Sequence, residues 1–302
     1  MNRTSTFATL GTGISGLQSS EEVLNATGLN YNVVKKDMYF RDDQGAEQYY
    51  PDKKFTVVEG TDRVLGVVST KYEVCQNRDA FSFIDYIGRD VEGFEYVRAG
   101  ETSSGLIYII AKIPNVTILG DKITPYIIFQ NSHDGQNSIK ATICPLRIVC
   151  QNQFNLSFRQ SPNTVRIIHS TKMDARMLTA REIMKDVSGY MQTFEDAATA
   201  LSKQKIAYAD VIQIFNDVFK YDPDRMSDRQ RRNFTASRND FLSCYNSDDN
   251  QNFIGTAWGV INGAADYLTH HKTSKSANQE FTFINTTLLA TTLNHIYSRV
   301  SR

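Results

Sequence analysis

The chain has few cysteines, no excess charge of either sign and no long apolar run, and each shortage excludes a class of protein. Only four cysteines occur in 302 residues. Cys75, Cys144, Cys150 and Cys244 lie far apart or six positions apart, with no C-x-x-C pair and no histidine at finger spacing. A zinc finger or a disulfide framework is thereby excluded and free thiols are expected, with no metal and no cofactor. The 33 basic and 33 acidic residues cancel, which argues against a protein that grips nucleic acid with its whole surface. No stretch approaches the roughly 18 apolar residues of a membrane span; the best, Leu106 to Ile113, is interrupted by Lys112 and stopped by Pro114. The opening MNRTSTFATLGTG has one early arginine and then a polar, glycine-containing segment. A secretory signal is therefore not expected, and the chain is read as cytoplasmic with no membrane partner. Internal repetition is low and there is no low-complexity tract.

What is present is ordinary globular composition, 41% hydrophobic and 22% charged, enough for one large core or two modest ones. Ser19 and Ser20 ahead of Glu21 and Glu22, with Gly28 beyond the apolar residues, predict a short capped helix. Strands are expected at Tyr31 to Val34, Met38 to Phe40, Lys54 to Val58 and Val64 to Ser69, with a polar turn at Asp42 to Gly45. The period then changes: Ala80, Phe81, Ile84, Ile87 and Gly88 fall on one helical face within Asn77 to Arg89. Strand signals resume at Phe94 to Arg98, Leu106 to Ile113, Thr124 to Phe129 and Ser138 to Ile143. Asp134 and Gly135 suit a tight hairpin between the last two. Pro145 is expected to end the strand and open a helix that buries Leu146, Val149, Cys150 and Phe154, and Val165 to His169 reads as one more strand.

From about Met173 the pattern is helical: Ala175 to Ser202, Tyr208 to Phe219, Asp228 to Tyr245, Gly255 to His271 and Phe281 to Val300. Pro223 and the polar run Asn246 to Asn252 separate them. The fold class expected is α+β, a mixed or antiparallel sheet with packed helices over residues 1–172, followed by a helical bundle or helical extension over 173–302.

The stretch from Tyr126 to Phe158 concentrates the chemistry. His133 beside Asp134, with Asn152 nearby in sequence, is a candidate catalytic set, because imidazole titrates near neutral pH. Against it, Asn131, Ser132, Asp134 and Gly135 are what a turn wants for backbone reasons alone, and they are also read as the loop that shapes a site. Cys150 with His133 as a thiolate pair competes with a buried cysteine on an apolar stripe, and His270 and His271 are read as contacts to helix-terminal carbonyls. Between Gly135 and Arg181 stand seven basic residues and a single acid, Asp174. Lys140, Arg147, Arg159, Arg166 and Lys172 are candidate phosphate contacts, and Phe158 a candidate stacking surface for an unpaired base; a solvated face with modest ion pairs is the competing reading. Arg225 to Arg238, interleaved with Asp222, Asp224, Asp228 and Asp240, looks self-paired. Gly11 to Gly16 lacks the preceding strand and the Lys-Ser/Thr ending of a phosphate loop.

Five ordered blocks, LGTG (Leu10 to Gly13), LGVVSTKYEVCQNRDAFSFID (Leu65 to Asp85), NSHDG (Asn131 to Gly135), CPLRIVCQNQFN (Cys144 to Asn155) and GTAWGVINGAADYLTHH (Gly255 to His271), resemble the phage/plasmid-like proteins grouped as domain of unknown function 932. The resemblance implies a mobile-element setting, a protein of phages, prophages or plasmids made in a bacterial cytoplasm. It brings no settled activity, and no role passes to His133, Arg147 or Trp258. Cys144 stands where the family pattern leads us to expect threonine, which speaks against a redox or metal role there. Three readings follow: a single-stranded DNA- or RNA-binding or annealing factor in replication or recombination; a hydrolase or nucleotide-modifying enzyme built on His133, Asp134, Asn152 and Arg147; and a homo-oligomeric interaction protein acting on a host factor.

Overall fold

A computed structural model describes residues 10–147, 152–153, 156–158, 161–169, 186–271 and 287–301. The class is α+β, with antiparallel sheets and packed helices. A short helix α1 (Ser20–Ala26) begins at Ser19, whose hydroxyl accepts from the Glu22 N–H, as its sequence signals demand. It packs beside α2 (Asn77–Asp90), which buries Ala80, Phe81, Phe83, Ile84 and Ile87.

The larger sheet, eight-stranded among the described residues, runs in the order β1 (Thr12–Gly13), β5 (Glu95–Glu101), β6 (Leu106–Lys112), β8 (Asp121–Ser132), β9 (Ile139–Arg147), β10 (Asn152–Gln153). Two further strands, β7 (Val116–Ile118) and β11 (Thr164–Ile167), pair with β8 and β9. Both faces are covered. Ile107, Ile109, Ala111, Ile127, Phe129, Ala141 and Ile143 join the main core, where Phe83 of α2 meets Phe129 edge-on at 5.5 Å. Leu106, Tyr108, Ile110, Ile128, Cys144 and Leu146 form a second cluster on the opposite face. That period-two split is why β6 reads as an unbroken apolar run.

A smaller sheet, β2 (Val33–Arg41), β3 (Glu47–Val58) and β4 (Val64–Ser69), stands beside it. The two short strands expected at Tyr31 to Val34 and Met38 to Phe40 are one strand, interrupted by a register shift at Asp37/Met38. Asp42 closes the turn, its carboxylate accepting from Gln44 and Ala46. Because β4 pairs only as far as Lys53, residues 38–50 extend past it as a two-stranded ribbon.

The expected helix at Pro145 is not formed: β9 continues through Pro145 to Arg147. Pro125 lies directly opposite Pro145. Neither has an N–H, so the two form a non-hydrogen-bonded pair, and each missing donor falls where the outer neighbour changes. On β8 the partner switches from β7 to β6 between Ile123 and Tyr126, and on β9 from β11 to β10 between Thr142 and Leu146. Proline is thus tolerated inside a wide sheet. Val149, Cys150 and Phe154 lie outside the described residues.

Beyond the sheet come α3 (Val187–Lys203), α4 (Tyr208–Val218), α5 (Asp228–Tyr245), a 3-10 segment (Asp248–Phe253), α6 (Ala257–Asp266), a π turn (Tyr267–His271) and α7 (Thr287–Val300). Helix α5 starts with a full capping box, Ser227 and Gln230 exchanging side-chain and backbone bonds. Helix α6 is buried along its whole length among α3, α5 and α7. Sheet and helices contribute to one continuous apolar cluster; the boundary expected at 172/173 lies outside the described residues.

Candidate nucleic-acid interface

The hairpin end built by Asn131, Ser132, His133, Asp134 and Gly135 is a joint between the two sheets. Thr56 of β3 donates to the His133 carbonyl at 2.6 Å, and Tyr72 donates to the Ser132 carbonyl at 3.3 Å. Gly66 of β4 lies so close that a Cβ there would stand 2.5 Å from the Asp134 Cα. Gly135 takes φ 76°, a conformation a side chain would strain.

Asp134 spends its carboxylate on the turn, accepting from Gln136 N–H, Asn137 N–H and Asn137 Nδ2. Burial pushes its pKa up, but these hydrogen bonds outweigh burial and hold it below the usual carboxylate range. The His133 ring is buried, with Nε2 2.9 Å from Asn77 Oδ1, and Asn131 Nδ2 bonds the same oxygen at 3.0 Å. Burial, then the neighbouring His169, lower the His133 pKa to about 4, with Asp134 acting the other way. His169 stacks on Tyr72 at 4.9 Å and lies 6.4 Å from His133; its own pKa is also lowered to about 4, chiefly by burial. At neutral pH both imidazole rings are uncharged within this enclosed polar cluster, and the Asp134 carboxylate at its edge is ionised.

The catalytic set expected from the sequence does not converge. Arg147 lies at the other end of the β8–β9 hairpin, where it faces Ile123, whereas Lys140 near the turn faces Gln130. Seven residues of strand place the two ends about 24 Å apart. Asn152 is at the Arg147 end, its Cα paired with that of Arg147. His133 and Asp134 therefore share no cleft with Arg147 or Asn152, because adjacency in the chain became separation along an extended strand.

Arg147 is also not a surface cation. It is buried, paired with Asp121 at 2.8 Å, donates to the Asp249 carbonyl at 2.7 Å and lies 5.9 Å from the Phe253 ring centre. Phe158 is buried against Tyr190 and Tyr297 rather than presented to a base. Sequence reasoning missed the partners Asp121, Asp249 and Phe253, which no local spacing connects to Arg147. It likewise missed Asn77, Thr56 and Tyr72 at the hairpin end. Arg159 and Lys172 lie outside the described residues, as does Cys150. Cys75, Cys144 and Cys244 are buried, and burial raises the Cys144 thiol to about 12, so it is protonated at neutral pH.

Lys140 and Arg166 do come together. Their Cα atoms are register partners across β9 and β11, two pairs along from Thr142 and Thr164 and so on the same face as those residues, whose hydroxyls are 3.2 Å apart. Arg166 is exposed and Lys140 half-buried. Burial, then Arg166, lower the Lys140 pKa, and Asp134 pulls the other way. Like charges directly opposite on neighbouring strands destabilise the pair, and a bound anion relieves that cost.

Among the described residues no helix is long and apolar enough to cross a membrane. No curated protein matches this chain, and no solved structure matches it. A family model does match, over residues 64–289, from β4 into α7, so this chain belongs to the family described as domain of unknown function (DUF932).

Proposed function

We propose that the protein binds single-stranded nucleic acid as an accessory factor, serving the replication or recombination of a phage or plasmid in a bacterial cytoplasm. The observation that carries this reading is the in-register cation pair Lys140 and Arg166 on the β9–β11 limb. Ile168, 62% exposed just past β11, adds an apolar contact beside it. Guanidinium and ammonium groups neutralise phosphates and release counterions, so binding weakens with salt. A fluorescence-anisotropy titration of a labelled single-stranded oligonucleotide at several salt concentrations tests it. The double variant K140A/R166A is expected to weaken binding by at least tenfold at low salt and to flatten the log–log salt slope by about 1.4, as for two lost single-strand phosphate contacts. No binding by the unaltered chain at low ionic strength ends the proposal.

A second reading, self-assembly, is favoured by the β2–β3 ribbon. Tyr39, Phe40, Tyr49 and Tyr50 are all exposed on it, with Tyr39 against Tyr49 at 5.5 Å and Phe40 near Tyr50 at 6.4 Å. Within residues 38–50 stand Asp42, Asp43 and Glu47 against one arginine, Arg41, while Asp37 at the base of the ribbon is paired with Lys54. That charge repels nucleic acid and suits the exposed Arg229 and Arg232 of α5 on a second copy, Arg231 being paired with Asp228 of its own helix. The particle mass in solution decides it.

A further inference from the structure

Cys244, Asp266 and His271 meet although neither their spacing nor any motif joins them. Cys244 is the penultimate residue of α5, Asp266 ends α6, and His271 closes the π turn that follows. Their ligand atoms, one from each side chain, all lie within 4.8 Å of one another.

Two structural features create the meeting. In a regular α-helix, residues five apart point about 140° away from each other. A π turn closes i to i+5 instead and aligns the two, which sets His271 over Asp266. The second feature is the crossing of α5 and α6. A Cβ on Gly263 would stand 2.7 Å from the Tyr245 Cα, so the helix backbones touch there. Cys244 adjoins that contact, and Asp266 is one turn along.

We infer that Cys244, Asp266 and His271 bind a divalent transition-metal ion of the zinc class. Donor atoms within 4.8 Å of one another leave a point no more than about 2.8 Å from all three, so side-chain movements of about 0.5 Å for sulfur and up to about 0.8 Å for nitrogen and oxygen bring them to zinc-bond lengths. A nucleophile relay has a different shape: the imidazole stands between thiol and carboxylate and holds them apart. Here the three donors converge on one centre. Cys244 and Asp266 are 3% and 2% exposed while His271 faces solvent. Sulfur, nitrogen and oxygen donors together suit zinc or cobalt rather than magnesium or calcium. Three protein ligands with one side open leave the fourth position to water. On binding, the Cys244 S–H bond breaks, the sulfur–metal bond forms, and the proton passes to solvent, so affinity rises with pH.

The site is independent of the nucleic-acid reading, and its test uses no nucleic acid. Untagged full chain, cleared with a chelator, is titrated with cobalt(II) and then with zinc(II). One equivalent of cobalt is expected to bind with a near-ultraviolet thiolate-to-cobalt absorption, and zinc to displace it. C244S is expected to lose that absorption, and D266N and H271A to weaken binding by at least tenfold. His271 is exposed, so the metal-free melting temperature of H271A should match that of the unaltered chain and separate ligand loss from misfolding. Absence of stoichiometric uptake at micromolar cobalt or zinc, or uptake without the thiolate band and indifferent to H271A, overturns the assignment.

Discussion

Arg147 illustrates how a single cation is consumed by a fold. Its guanidinium faces Asp121, the Asp249 carbonyl and the Phe253 ring, so it ties the sheet to the 3-10 segment among the helices. Truncating it leaves Asp121, 18% exposed at its side chain, without its ion-pair partner. R147A is therefore expected to cost about 3 kcal/mol in a urea denaturation, with oligonucleotide affinity of the folded fraction unchanged. A loss below about 0.5 kcal/mol would show the pair to be dispensable.

The buried histidines set a pH dependence. His133 and His169 titrate near 6.5 in the unfolded chain but resist protonation down to about 4 in the fold. Between those values the unfolded state binds more protons, so their contribution is complete above pH 6.5 and is lost as the pH falls toward 4. The combined loss is of the order of a few kcal/mol. Asp134, held low by its turn hydrogen bonds, gives up its share only at more acidic pH. Denaturation midpoints measured from pH 7 to 4 should fall steadily; a flat profile would mean that neither ring resists protonation in the fold.

At the scale of elements, the hairpin end and the smaller sheet hold each other in place. Gly66 admits the Asp134 backbone, and Thr56 supplies the hydroxyl that the His133 carbonyl accepts from. Adding a methyl at Gly66 drives β4 off the turn, because the atoms it meets are main-chain atoms that cannot swing aside. G66A is expected to destabilise by about 2–3 kcal/mol, and T56V by about 1–2 kcal/mol through the unsatisfied carbonyl. Amide exchange along β4 should accelerate in G66A more than along β6. Equal protection in both strands would show that the two sheets are not coupled there.

For the whole molecule, the uneven surface matters more than the zero net charge. The ribbon of residues 38–50 exposes aromatics among acids, while the start of α5 exposes arginines. A head-to-tail contact between those patches generates rings or open filaments rather than a closed two-fold dimer. Light scattering is expected to report a particle larger than one chain that dissociates in high salt and in Y39S/Y49S. A monomer at all concentrations removes that reading and leaves the cation pair of β9 and β11 untouched.

Sequence alone determined what depends on neighbours in the chain. The α+β class, α2 and its apolar face, the Ser19 cap, the limits of β4 and α5, the Asp134–Gly135 turn and the family could all be read from local periodicity, capping and block order. Whatever depends on distant partners was decided only by the tertiary structure. Pro145 could stay in a strand because outer strands change over beside it. Phe158 could be buried because Tyr190 and Tyr297 reach it, and Arg147 could be neutralised because Asp121 lies across the hairpin. Lys140 meets Arg166, and Cys244 meets Asp266 and His271, for the same reason: strand register and helix crossing place side chains by contacts remote in sequence, which no period of two or 3.6 encodes.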